Sequence, residues 1–238
     1  MYRLGFLLCD RPLDHLAARF GDYPRMFRQA FDEVCEAFEW VVYDATDAEL
    51  PLAVTECDGY LISGSRHGAY DPLPWIEPLS AFISDVATTA VPMVGLCFGH
   101  QLIGHTLGGK VVQSDKGWGI GINDYQIEQA ESWMSPPLPR MTVPVCHQDQ
   151  VTALPPAAKR IAGNAHCENF VVRFRDNMIG IQGHPEFPPE FLAELVEWRH
   201  DRLPDDVLAT ARASIKKPHH NREIKTWIAN FLGLPQQA

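Results

Sequence analysis

Cys97 stands between two glycines, in Gly95-Leu96-Cys97-Phe98-Gly99, where the apolar run VPMVGLC passes into a stretch of helical periodicity. A glycine–x–nucleophile–x–glycine sequence at a strand-to-helix join forms an elbow that holds the nucleophile in a strained turn. The flanking glycines are needed because a Cβ there would collide across the bend. The turn aims the side chain at the helix amino terminus, whose partial positive charge favours a thiolate. The N–H of Phe98, next in the chain, is placed to receive an oxyanion. The same glycines are also compatible with tight strand–helix packing around a small buried cysteine.

A second segment supplies what a cysteine nucleophile lacks. In GIQGHPEF, Gly180 to Phe187, a strand runs into His184-Pro185-Glu186. Pro185 fixes its own φ and restricts His184, so an imidazole and a carboxylate are presented from one stiff link. A cysteine hydrolase needs a base that takes the thiol proton and returns it to the leaving amine, and an acceptor that orients the base. His184 and Glu186 match those two needs. A plain surface loop is the alternative in a chain with 10 histidines.

Two further segments carry polar groups. In CDGYLISGSRHGAYDP, Ser63-Gly64-Ser65 follows a strand, and Gly64 lets backbone N–H groups approach a substrate oxyanion. An ordinary loop would read the same way. In VCHQDQV, His147 and Asp149 either hydrogen-bond a polar substrate or form a satisfied structural pair.

The elements that must position these residues alternate in a βαβ rhythm. YRLGFLLCD, EWVVYDA, CDGYLISGS and VPMVGLC read as strands. YPRMFRQAFDEVCEAF places Met26, Phe27, Ala30, Phe31, Val34, Ala37 and Phe38 at helical spacing, and WIEPLSAFISDVATTA supplies another helix. That alternation predicts an α/β fold: an open twisted, mostly parallel sheet with helices on both faces. From Lys110 a strand-rich insertion is expected, through KVVQS, NDYQIEQ, MTVPVCH and FVVRFRDNMIGIQGHPEF, with a hairpin turn at Asp176-Asn177. After Pro188-Pro189 three helical pieces follow, ending at Gly233. One domain over 1–238 is expected, its core about 1–190 and its helical extension about 190–238. In such sheets ligands bind beyond the carboxyl ends of the strands, where SGSRHGAYD, GLCFGHQ and GHPEF all fall.

Composition limits the function. With a net charge of −10, the 238-residue chain has little to neutralise phosphates, which argues against a general nucleic-acid partner. Its one basic cluster, RASIKKPHHNR, reads as a solvated face or loop. No apolar run reaches the ~18 residues of a membrane span. Asp10 and Asp14 break the amino-terminal apolar run before it can read as a leader. The 6 cysteines lack CxxC spacing, so neither a disulfide framework nor a metal site is expected, and no cofactor. A soluble, cytoplasmic protein is the expectation.

Taken in order, these motifs resemble the class I (triad) glutamine amidotransferases. The resemblance rests on Gly95-Leu96-Cys97-Phe98-Gly99-His100-Gln101, on His184-Pro185-Glu186 and on Ser63-Gly64-Ser65 with Tyr70-Asp71, and it covers roughly the first 190 residues. It implies a flavodoxin-like sheet and a Cys–His–Glu triad: Cys97 as nucleophile, His184 as base and acid, Glu186 as orienting carboxylate. Gly64 and Phe98 would give oxyanion N–H groups. Gln101, with Ser65, His147 and Asp149, would bind the glutamyl substrate. The expected chemistry is cleavage of the γ-amide of glutamine or a small γ-glutamyl compound through a thioester.

The chain departs from family members fused to a synthetase domain. Its helical extension and the segment RFGDYPRMF, which could place Asp22 and Tyr23 over the site, look more like the stand-alone subgroup that includes γ-glutamyl peptidases. Three other readings stay open. They are a glutaminase subunit passing ammonia to a separate synthetase, a general cysteine peptidase, and a non-catalytic binding or regulatory protein of the same fold.

Overall fold

Strands buried on both faces lack polar alternation, and three here have that character throughout: Gly59–Ile62, Met93–Leu96 and Met178–Ile181 are buried at every position. The computed structural model describes residues 1–237. In chain order the first half comprises β1 (Arg3–Leu8), α1 (Asp14–Phe20), α2 (Tyr23–Asp32), β2 (Glu39–Asp44), β3 (Gly59–Ile62), α3 (Ile76–Val86), β4 (Met93–Leu96) and α4 (Phe98–Thr106). There follow β5 (Lys110–Gln113), β6 (Gly119–Ile127), β7 (Arg140–His147), β8 (Asp149–Ala153), β9 (Lys159–Gly163), β10 (Val171–Arg175) and β11 (Met178–Ile181). The chain ends with α5 (Pro189–Trp198), α6 (Asp205–Ser214) and α7 (Asn221–Leu232).

A 9-stranded sheet runs in the order β2-β1-β3-β4-β11-β10-β9-β6-β7. The strands from β2 through β11 are mutually parallel, the doubly wound arrangement expected from the βαβ rhythm. The strand-rich insertion continues that sheet as its antiparallel half, and β5 pairs with β8 as a separate ribbon. Asp176-Asn177 makes the turn between β10 and β11, as expected. No helix among the described residues is long and apolar enough to cross a membrane.

Each face of the sheet carries its own core. Phe27 and Phe31 of α2, with Trp227 and Ile228 of α7, pack on one face. Leu79 and Ile83 of α3, with Leu102 and Ile103 of α4, pack on the other. A further cluster sets Leu192, Val196, Leu208 and Ala211 of the terminal helices against Ile120 and Ile122 of β6.

The helix expected to run on to Phe38 stops at Asp32. Beyond it the carboxyl terminus takes the backbone partners: Glu36 N–H donates to the Pro235 carbonyl at 2.8 Å, and Cys35 bridges to Gln236. Periodicity cannot reveal that competition, because Val34 and Phe38 are still buried. The short α1, β8 and β9 gave no clear sequence pattern. The helix α7 ends where expected, at Gly233 with φ 73°.

The terminal helices should unfold with the sheet. Trp227 is 1% exposed, and its Nε1–H donates to the Pro136 carbonyl at 2.8 Å. Trp227→Ala should cost about 3–5 kcal/mol, read as a lower urea midpoint with one transition by both fluorescence and far-UV dichroism. Two separate transitions would make residues after 190 an independent unit.

Candidate active site

Cys97 follows β4 at the parallel sheet's carboxyl edge and adopts φ 50°, ψ −101°, a strained conformation for a side chain other than glycine. The reason lies in its neighbours. A Cβ on Gly95 would lie 2.4 Å from the Gly99 carbonyl carbon, and one on Gly99 would lie 2.8 Å from Ile62 Cβ. The first turn of α4 is thus pressed onto β4 and β3, and Cys97 is the residue over which the chain bends. Its own N–H donates to the Ile181 carbonyl at 2.9 Å, and the Gly99 N–H donates to that of Ser63 at 3.2 Å.

His184 lies beyond β11, the strand paired beside β4. A Cβ on Gly64 would stand 2.9 Å from His184 Cε1 and 3.6 Å from Cys97 Cβ, so the three loops meet at one point. His184 Nδ1 lies 2.7 Å from Glu186 Oε1. An ionised carboxylate only accepts, so Nδ1 carries the proton and Nε2 is the nitrogen left for other chemistry. The imidazole stacks on Phe187 with centroids 4.1 Å apart and planes 2° apart. Burial alone would depress its pKa, but the Glu186 carboxylate and Cys97 outweigh burial and hold it well above the ordinary 6.5. Among the described residues, no protein acceptor takes the Phe98 or Gly64 N–H.

A cavity of about 660 Å³ opens over this point. Cys97, Gly64, Ser65, Gln101, His147, Asp149, His184 and Glu186 all line it. The substrate-binding candidates differ in what they can still offer. Gln101 Nε2 donates to the Asp149 carbonyl at 2.9 Å and to Gln182 Oε1 at 3.1 Å, so its amide hydrogens are already in use. Ser65 Oγ accepts from the His67 N–H at 3.2 Å. His147 is buried with Nδ1 3.1 Å from the Asp149 carbonyl, and burial pushes its pKa down to about 3, so it is neutral. Asp149 is half-buried, and burial raises its carboxyl although the Tyr70 hydroxyl opposes that rise. Tyr23 lines the cavity, whereas Asp22 caps α2 by accepting the Arg25 N–H at 2.9 Å.

Other lining residues escaped sequence reading. Asp10 follows β1 at the same sheet edge, a position that could have marked it, and its carboxylate holds Arg66 Nε at 2.9 Å. Trp118, Cys146, Trp198, Arg199 and Arg202 reach the cavity from the antiparallel half and the carboxyl-terminal helices. No local motif carries them, because long-range packing alone brings them there. Among the described residues there is no group of three or more His, Cys, Asp or Glu able to hold a metal ion.

The chain is similar to known proteins of one family. The family model described as glutamine amidotransferase class-I matches residues 21–193. A γ-glutamyl peptidase 2 from Arabidopsis thaliana is 30% identical over 207 residues, covering 83% of this chain and 82% of the relative. One component of a glutamine-hydrolysing GMP synthase from Methanococcoides burtonii is 31% identical over 147 residues, covering 61% of this chain and 72% of that component. A crystal structure of a glutamine amidotransferase from Thermotoga maritima superposes with a TM-score of 0.75, covering 98% of this chain and 99% of that one at 18% identity, and so shares the fold.

The His184–Glu186 pair has a pH signature. Because the His184 pKa is raised on folding, the pair's stabilisation is fully present below pH 6.5 and is lost as pH rises through the folded-state value. The urea midpoint of Glu186→Gln should therefore fall furthest below that of the wild-type protein near pH 6, with the gap narrowing in alkaline buffer. A gap that widens with rising pH would show that Glu186 does not raise the His184 pKa.

Proposed function

The chain belongs to the class-I glutamine amidotransferase family, and we propose that it is a cysteine-dependent amidohydrolase cleaving γ-glutamyl amides through a thioester. One observation carries this reading. Cys97, in its strained turn, and His184, held through Nδ1 by Glu186 at 2.7 Å, meet at the ends of adjacent parallel strands in the floor of one cavity. The γ-glutamyl peptidase relative, matched over 83% of the chain, supports the γ-glutamyl substrate class.

In the proposed sequence, His184 Nε2 takes the Cys97 proton and the thiolate attacks the γ-carbonyl carbon. The oxyanion is received by the Phe98 and Gly64 N–H groups, donors fixed before the substrate arrives and therefore effective without reorganisation. The imidazolium, stabilised by Glu186, gives its proton to the leaving nitrogen as the C–N bond breaks. Water then gives a proton to His184 and attacks the γ-glutamyl thioester. Glutamate departs and the Cys97 thiol is restored. Neutral His147 can accept or donate a hydrogen bond to the substrate without competing as a base, because burial holds it uncharged at neutral pH.

The GMP synthase component matched over 61% of this chain favours a second reading, in which the amide is glutamine's own and the ammonia goes to a separate synthetase. A glutaminase of that kind would release little ammonia alone and much more with its partner. A hydrolase works at full rate by itself.

Released glutamate, measured over glutamine and a panel of γ-glutamyl amines and peptides, tests the proposal. Cys97→Ala should lower turnover by about 10⁴-fold or more, because members of a triad act as a unit. Retention of wild-type activity by Cys97→Ala on every substrate cleaved would exclude the thioester mechanism.

A further inference from the structure

One stretch of the cavity wall is built from Trp118, just before β6, and from Trp198, Arg199 and Arg202 at and beyond the end of α5. The Arg199 guanidinium lies 4.8 Å from the Trp118 ring centroid and 5.3 Å from that of Trp198, and Arg202 lies 4.7 Å from the Trp198 centroid. Stacking on indoles holds these cations in place without neutralising them.

Among the described residues no carboxylate answers their charge. Asp201, between them in sequence, is exposed and pairs with neither, while Glu197 binds Arg212 at 2.6 Å and Glu194 binds Arg19. The cavity's other arginines are also paired, Arg66 with Asp10 at 2.9 Å and Arg11 with Asp47 at 3.0 Å. Among the described residues Arg199 and Arg202 have no carboxylate partner, and Arg199 Nε is buried with no hydrogen-bond partner at all. In a chain of net charge −10, two uncompensated guanidiniums in one cavity wall are a local reversal of sign. Arg199 also lines the cavity that holds the proposed reacting groups. Cys146, Cys97 and His184 line the same cavity, and Arg199 and His184 oppose the rise that burial gives the Cys146 thiol.

We infer that Arg199 and Arg202 bind a carboxylate on the leaving group, so that the substrate is a γ-glutamyl amino acid or short γ-glutamyl peptide with a free carboxyl end. The inference rests on the hydrolase reading above and narrows it. The α-carbon of the glutamyl half carries an ammonium beside its carboxylate and needs an acid as well as donors. The arginine wall offers no acid, while Asp149 stands elsewhere in the cavity with no basic partner among the described residues. Cations flanked by indole faces suit a group that is anionic at its end and apolar along its body. They disfavour a polyamine and do nothing for ammonia.

The test compares γ-glutamylglycine with γ-glutamylglycinamide, which differ only in that carboxylate. Wild-type kcat/KM should favour γ-glutamylglycine by about tenfold or more, as expected for a charge-assisted hydrogen bond. Arg199→Gln should reduce that preference to about twofold or less, and Arg199→Lys should restore part of it. Arg202→Gln, at an exposed position, should reduce the preference by a smaller factor and covers the case in which Arg199→Gln does not fold. Equal wild-type rates on the two substrates, or equal losses on both in the arginine variants, would overturn the inference. Calorimetric titration of Cys97→Ala with the same pair separates it from the reading it rests on. Tighter binding of the carboxylate compound, together with no glutamate release by the wild-type protein, would sink the hydrolase and keep the arginine site. Glutamate release with equal binding of the pair would do the reverse.

Discussion

The crossing of α4 over β4 is the constraint on which the rest of the site depends. Gly95 and Gly99 touch there with no space for a Cβ, which would lie 2.4 Å from backbone. That contact draws the helix amino terminus down onto the sheet and leaves the chain only one way to turn, through a left-handed residue at Cys97. Such a conformation costs on the order of 1–3 kcal/mol and persists only when its surroundings fix it. Hydrogen bonds from Cys97 to Ile181 and from Gly99 to Ser63 do so, and they tie the ends of β11, β4 and β3 into one assembly. The residues proposed for chemistry, Gly64, Cys97 and His184, sit at those bonds or within three positions of them. The elbow therefore aligns its neighbours as well as the cysteine.

The His184 loop is held from a different direction. Its N–H donates to the Pro144 carbonyl of β7 at 2.8 Å, and the Phe187 carbonyl accepts from Asn221 Nδ2 at 3.0 Å, at the start of α7. Phe187 also packs with Leu16, Met26, Phe191 and Leu195, joining α1, α2 and α5 beneath the imidazole. The antiparallel half of the sheet and the carboxyl-terminal helices thus fix the position of the imidazole, although neither carries a recognisable motif. Burying the pair costs solvation of both groups, and Glu186 Oε2 has no hydrogen-bond partner among the described residues. The short contact between Nδ1 and Oε1 offsets part of that cost by favouring imidazolium.

How much of this was legible in the sequence follows from the range of the interactions involved. The parallel strands and α3 were legible because apolar runs and helical spacing are local signals. So were the elbow and the His184–Glu186 link, which the spacing of glycine, cysteine, histidine and proline sets within a few residues. What the chain does at Cys35 was not legible, since a tail some 200 residues away takes the hydrogen bonds that would have continued α2. The internal use of Gln101 was hidden for the same reason: Gln182 and Asp149 come to it through strand order. Trp118, Arg199 and Arg202 converge only because α5 packs on β6, a contact between two segments whose sequences read as ordinary surface helix and strand.

These two ranges of interaction correspond to two tasks. An amide carbonyl needs a nucleophile, a base and oxyanion donors at fixed separations, and in the proposed mechanism short motifs on adjacent parallel strands would supply them with little freedom to vary. The group on the far side of the scissile bond needs only a surface of suitable shape and charge, and such a surface can be assembled from distant parts of the chain. A cavity of about 660 Å³ is far larger than one carboxamide requires, and the residues that enlarge it belong mostly to the second kind. Changes in α5 and in the turn before β6 would therefore, under the proposed reaction, alter which amine leaves without disturbing the Gly95–Gly99 contact. In the proposed mechanism the elbow would set the reaction, and the helices after residue 188 would select the substrate.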